Sequence, residues 1–172
     1  MTSFRLTFTA IVLAAAASPA AADCPVAPPL RLFSAPGGHR FVRVVTSGGG
    51  AAEASLYRIF NTEERLVWKT SMPFVPSDVW VDIGGRWVVT RGEYCNGAGQ
   101  EHALRVYDAQ GTLLRDWRRS DLVSDDELGR RGTIFLAHQP WTAAAELRFE
   151  PRGDGLTVIL PWGESRVLIA DR

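Results

Sequence analysis

The sequence predicts an all-β protein of antiparallel strands with one short helical insert, and three observations lead to that fold class. Val79 to Trp117 reads as a complete series of strands and tight turns. The same series recurs before it, from Pro36 to Trp68, and in shorter form after it, from Glu146 to Ala170. No part of the plan alternates strands regularly with long helices, which argues against a parallel α/β fold.

The central series opens with the apolar strand Val79 to Ile83, which Gly84-Gly85 breaks with the backbone freedom of a hairpin turn. Arg86 to Glu93 follows as a second strand, in which Trp87, Val88, Val89 and Thr90 suit a half-buried pleated surface. A polar loop from Tyr94 to His102 leads into Ala103 to Tyr107, whose alternation of apolar and polar residues predicts a strand with one buried face. Asp108-Ala109-Gln110-Gly111 is turn chemistry, since Asp can bond nearby backbone and Gly can turn left-handed. Thr112 to Trp117 completes the unit.

In the first copy, Pro36-Gly37-Gly38 precedes Arg40 to Val45 as Gly84-Gly85 precedes Arg86 to Val89. Leu56 to Phe60 answers Leu104 to Tyr107, Asn61 to Glu64 answers the Asp108 turn, and Leu66 to Trp68 answers Leu113 to Trp117. Ser47 to Gly50 is glycine-rich but lacks the Lys-Ser/Thr and helix of a phosphate loop. In the third copy, Glu146 to Phe149, the turn from Pro151 to Gly155, Leu156 to Trp162 and Arg166 to Ala170 make three further strands. Thr133 to Ala137 reads as one more.

Between the second and third copies, Ser124 and Glu127 have the spacing of a capping box and predict a short helix near Leu122 to Leu128, ended by Gly129. Asp125, Asp126 and Glu127 then serve the positive end of that helix rather than a metal, because adjacent helical residues diverge and no calcium-loop spacing is present.

Residues 1–22 combine Arg5, an apolar run from Leu6 to Ala17 and the small residues Ala20 to Ala22, the pattern of a signal peptide cleaved before Asp23. A lipid anchor on Cys24 is the rival reading, opposed by Asp23 where such sites carry a small residue. The expectation is therefore an exported protein, periplasmic or extracellular, with no transmembrane segment. Residues 23–172 are about the size of one domain, and Pro25 to Pro29 is an extended lead-in. Hydrophobic residues at 46% and charged residues at 22% fit a globular chain. Lys+Arg and Asp+Glu both total 19, so no net field points to nucleic acid. Cys24 and Cys95, in an oxidising compartment, are expected to form one disulfide.

The order of Gly turn, aromatic-led strand, loop, Val-Tyr-Asp strand, Gly turn and Trp-ended strand resembles the blades of β-propellers, at a spacing close to the blade period. More narrowly, the chain is similar to small exported bacterial proteins of unknown function that carry a few propeller-like blades. The resemblance covers most of Pro36 to Arg172 and implies about three blades, either an incomplete propeller or an open twisted sheet. It carries no catalytic residue, and the Gly-His and Trp-Asp signatures of WD repeats are missing, Asp116-Trp117 being the reverse. Three blades do not close a propeller, which implies open edges covered by self-association, by a protein partner, or by the chain's own insert or N-terminal strap.

No motif for a cofactor or metal occurs: His39, His102 and His138 fall beside separate turns without metal-ligand spacing. Cys95 with His102 as base lacks an orienting third group in the sequence, and a disulfide would silence it. Trp68, Trp80, Trp87 and Trp117 lie among strand aliphatics and are read as packing residues, whereas Trp141 and Trp162 beside Pro140 and Pro161 are read as exposed. The expectation is a non-catalytic exported protein that binds a protein or envelope partner through Tyr94, Asn96, Gln100, His102 and Trp141. The alternatives are a periplasmic hydrolase using Glu93 and Glu101 and a purely structural homodimer.

Overall fold

Glycine turns joined to β-branched runs give eleven strands and two short helices in the computed structural model, which describes residues 26–93, 102–131, 145–150 and 155–170. The first sheet is β1 (Leu30–Ser34), β2 (Arg40–Thr46), β3 (Ala52–Phe60) and β4 (Glu63–Met72), in that order. The second repeats the plan with β5 (Pro76–Val81), β6 (Val88–Glu93), β7 (Leu104–Tyr107) and β8 (Leu113–Trp117). Helices α1 (Arg119–Leu122) and α2 (Asp125–Arg131) follow, and the third sheet is β9 (Glu146–Phe149), β10 (Gly155–Ile159) and β11 (Ser165–Ala170), with β10 in the middle. Every strand pair is antiparallel. The protein is therefore all-β, with three blade-like antiparallel sheets and a short helical insert.

Strand boundaries differ from the sequence expectation in ways that matter for the faces. Leu30–Ser34 forms a strand that the proline-rich lead-in concealed. The first strand of the central sheet begins at Pro76 and ends at Val81, leaving Ile83 63% exposed in the turn, while Trp87 sits before β6 and is buried. The repeats also align differently. Ala35 donates its N–H to Arg40 O at 2.9 Å and Asp82 donates to Trp87 O at 3.0 Å, so Arg40 corresponds to Trp87 rather than Arg86. Phe41 then answers Val88, and their β3 and β7 partners, Tyr57 and Tyr107, are equivalent. A register shift falls just before each of these tyrosines, opposite the fourth strand.

Two apolar layers hold the sheets together. Val42, Val44, Leu56 and Trp68 of the first sheet meet Val79, Val81, Val88 and Tyr107 of the second. From the opposite side of the second sheet, Val89, Leu104 and Val106 meet Leu156, Val158 and Leu160, with Leu122 and Val123 of the insert. The second sheet is thus covered on both faces, which corrects the one-sided reading of 103–107: all four β7 residues are buried, including Arg105. Gly111 has a φ of +80°, and a Cβ there would stand 2.9 Å from Trp68 Cδ2, so the second β-turn of this sheet fits under the Trp68 ring only as glycine. The Asp108 carboxylate builds the same turn as expected, accepting the N–H groups of Gln110 at 2.9 Å and Thr112 at 2.8 Å.

Ser124 Oγ accepts the Glu127 N–H at 3.2 Å, the cap that the sequence indicates. Helix α2 nevertheless runs through Gly129 to Arg131. Asp125 pairs with Arg119 at 2.6 Å, and the Glu127 carboxylate accepts from Arg166 Nη2 at 2.8 Å, fastening the insert to β11. Burial by itself would lower the Arg166 pKa, but the hydrogen bonds and charges of Glu127 and Glu164 hold it above the ordinary arginine value. Trp162, expected on the surface, is half-buried against the second layer and donates Nε1–H to Glu164 at 3.2 Å. No helix among the described residues is long and apolar enough to cross a membrane.

Candidate functional site

The first strands of the three sheets, β1, β5 and β9, are each the edge of their own sheet. All three end in the same way, because Glu150 donates to Gly155 O at 2.9 Å just as Ala35 and Asp82 close their hairpins. Those ends converge on one cleft of about 570 Å³. Ser34 to Pro36 supply its first wall, Val79 to Ile83 the second, and Leu147, Phe149 and Glu150 the third. Period-two alternation places Val79 and Val81 on one face of β5, and Leu147 and Phe149 on one face of β9.

Charge enters at the cleft's margins. Asp82 is 3% exposed, and its Oδ2 accepts the N–H groups of Gly84 at 3.0 Å and Arg86 at 3.1 Å, so this carboxylate shapes the turn. Glu150 is exposed and accepts the Thr157 hydroxyl at 3.0 Å. Farther along the β5 edge, Arg31 donates Nη1–H to Pro76 O and Nη2–H to Ser77 O, each at 2.7 Å. This guanidinium covers the start of that edge and leaves the cleft at the other end. An apolar cleft walled by edge strands has the chemistry to hold an extended chain, with apolar side chains in the groove and main-chain groups beside the strands.

A second polar cluster surrounds His102. The His102 ring stacks on Phe74 at 5.1 Å, and the Arg105 guanidinium lies 4.9 Å from the same ring centre. Asp116 accepts from Arg105 Nε at 2.9 Å and lies 3.0 Å from His102 Nδ1. Asp116 is the orienting group beside His102 that the sequence did not reveal. Burial would lower the Arg105 pKa, but its hydrogen bond to Asp116, with smaller help from Tyr107, holds it above the usual value. Asp116 meets both Arg105 and His102 from β8, while Phe74 lies in the link between the first two sheets. The cluster is a brace across sheet two and its incoming link.

Of the binding residues chosen from sequence, His102 is placed in this brace; Tyr94, Asn96, Gln100 and Trp141 lie outside the described residues. So do Cys24 and Cys95, the expected disulfide pair, and residues 1–22. The Glu93 side chain, Glu101 and His138 also lie outside them. His39 occupies the exposed first hairpin. No group of three or more metal-ligating side chains occurs among the described residues. The cleft residues Val81, Ile83, Leu147 and Phe149 carried no motif; their signal was only that each lies near the end of a strand leading to a turn. Comparison with family models, curated proteins and solved structures gives no match.

Proposed function

We propose that the chain is an exported, non-catalytic β protein that binds an extended apolar segment of a protein or envelope partner in the cleft between β1, β5 and β9. The supporting observation is the convergence of three edge strands on one apolar cavity of about 570 Å³, within the usual size range of ligand sites. Recognition combines apolar side chains against Ile83 and Phe149 with main-chain pairing at a strand edge. Export brings such a module to envelope proteins, whose extended segments suit that mode of binding.

The test is capture from an extract of the host envelope by wild-type protein, by Ile83→Glu and by Leu114→Glu. Ile83 is 63% exposed at the cleft, and Leu114 is 39% exposed on β8 away from it. A partner held by wild type and Leu114→Glu but lost by Ile83→Glu is the expected result, with at least about tenfold weaker binding to the purified partner. Equal retention by all three proteins would overturn the assignment to the cleft.

A further inference from the structure

We propose that two copies of this chain join head to tail, the outer face of the first sheet packing on the outer face of the third sheet in the second copy, so that six sheets close into a ring. The repeat itself states what each open face is made to meet. Within the chain, the face of the second sheet that meets the first presents Val79, Val88 and Tyr107, all buried, with Tyr107 stacked 6.4 Å from Trp68. Their equivalents in the first sheet are Leu32, Phe41 and Tyr57, which lie on its outer face. There Leu32 is 60% exposed, and Leu30, Val45 and Leu66 add 51%, 38% and 55% exposed apolar groups. Phe41 and Tyr57 stack at 5.1 Å, so the aromatic packing surface is already formed.

The third sheet supplies the opposite kind of face. Val42 and Leu56 are paired on β2 and β3 and are fully buried against the second sheet. Counting from the matching hairpins, their equivalents are Thr157 and Val167, also paired, and Val167 is 67% exposed. Among the described residues, one end therefore offers an uncovered receiving face and the other an uncovered delivering face. Two chains satisfy both at once through a two-fold axis, whereas contact between two first sheets would leave Val167 in water. Six sheets fall within the four to eight typical of closed propellers.

The third sheet, with three described strands of four to six residues, sets the smaller face, roughly 240 Å² at ordinary strand spacing. Two junctions, both sides counted, then remove roughly 950 Å², at the low end of the areas of specific protein interfaces. This inference is independent of the cleft's ligand, since it concerns the outer faces of the end sheets, and neither Leu32 nor Val167 lines the cleft.

The experiment is sedimentation of the purified protein, Leu32→Glu, Val167→Lys and an equimolar mixture of the two variants, from about 1 to 100 μM. Wild type is expected to be a dimer, and each variant alone a monomer. The mixture regains a dimer, because one junction is then unaltered and the other sets glutamate against lysine. Both positions are exposed, so circular dichroism and melting at low concentration should match the wild-type monomer; Leu66→Glu replaces Leu32→Glu if that variant does not fold. A monomeric wild type, a dimer indifferent to Val167→Lys, or an open polymer would each overturn the ring.

Discussion

Tyr107 shows how one residue's surroundings become a measurable property. Burial raises its pKa above the usual phenol value, against the nearby Arg105 charge, which lowers it. The native state therefore holds the phenol proton more tightly than the unfolded chain, whose tyrosines ionise near pH 10. The associated stability is fully present below about pH 10 and is lost as pH rises through the native value. Tyr107→Phe should cost about 1 kcal/mol at pH 8, where it loses the hydrogen bond to Arg105. Between pH 8 and 11 its urea midpoint should fall less than that of wild type. An equal fall in both proteins would show that Tyr107 does not carry this alkaline dependence. Tyr57 occupies the equivalent place in the first sheet but stacks on Phe41 at the outer face. Its local sequence foretells a strand, not which sheet will lie over the ring.

At the scale of elements, the join between β1 and β5 is as informative as either strand. Arg31 reaches two successive carbonyls, Pro76 O and Ser77 O, from a neighbouring sheet. Arg31→Met keeps much of the apolar stem but removes these charged hydrogen bonds, and should cost about 2 kcal/mol in a denaturant titration with little change in slope. A midpoint equal to wild type would mean that the clasp contributes nothing net. The sequence revealed the turns and most strands because glycine pairs, Asp108 and β-branched runs act locally. It did not reveal β1, whose five residues follow a run of prolines. Nor did it align the repeats correctly: His39 lies between Gly38 and Arg40, and a shift of one residue moves every side chain to the opposite face. The cleft was still less legible, because it arises from three strand ends brought together only when the sheets pack. His102 was singled out in the sequence, but its partners Phe74 and Asp116 are set by the sheet link and the β7–β8 pairing.

At the scale of the whole molecule, the second sheet belongs to both apolar layers while each outer sheet belongs to one. Val88 is buried against the first sheet and the adjacent Val89 against the third, so unfolding β6 breaks both layers together. The first or third sheet can open while the other layer stays intact. Stability in such a linear stack is shared between each unit and its neighbours, and the end units have one neighbour fewer. Native-state hydrogen exchange should therefore be slowest in β6 and β7, with the first and third sheets opening at lower free energy. The comparison belongs to the monomer, using Val167→Lys at low concentration, because ring closure would add a neighbour to both end sheets. With the proposed ring closure in wild type, the protection of β2, β3 and β10 should rise with protein concentration while β6 changes less. If β2 and β6 exchanged through the same opening in the monomer, with the same denaturant dependence, the three sheets would form one cooperative unit and the shared middle sheet would hold no separate rank.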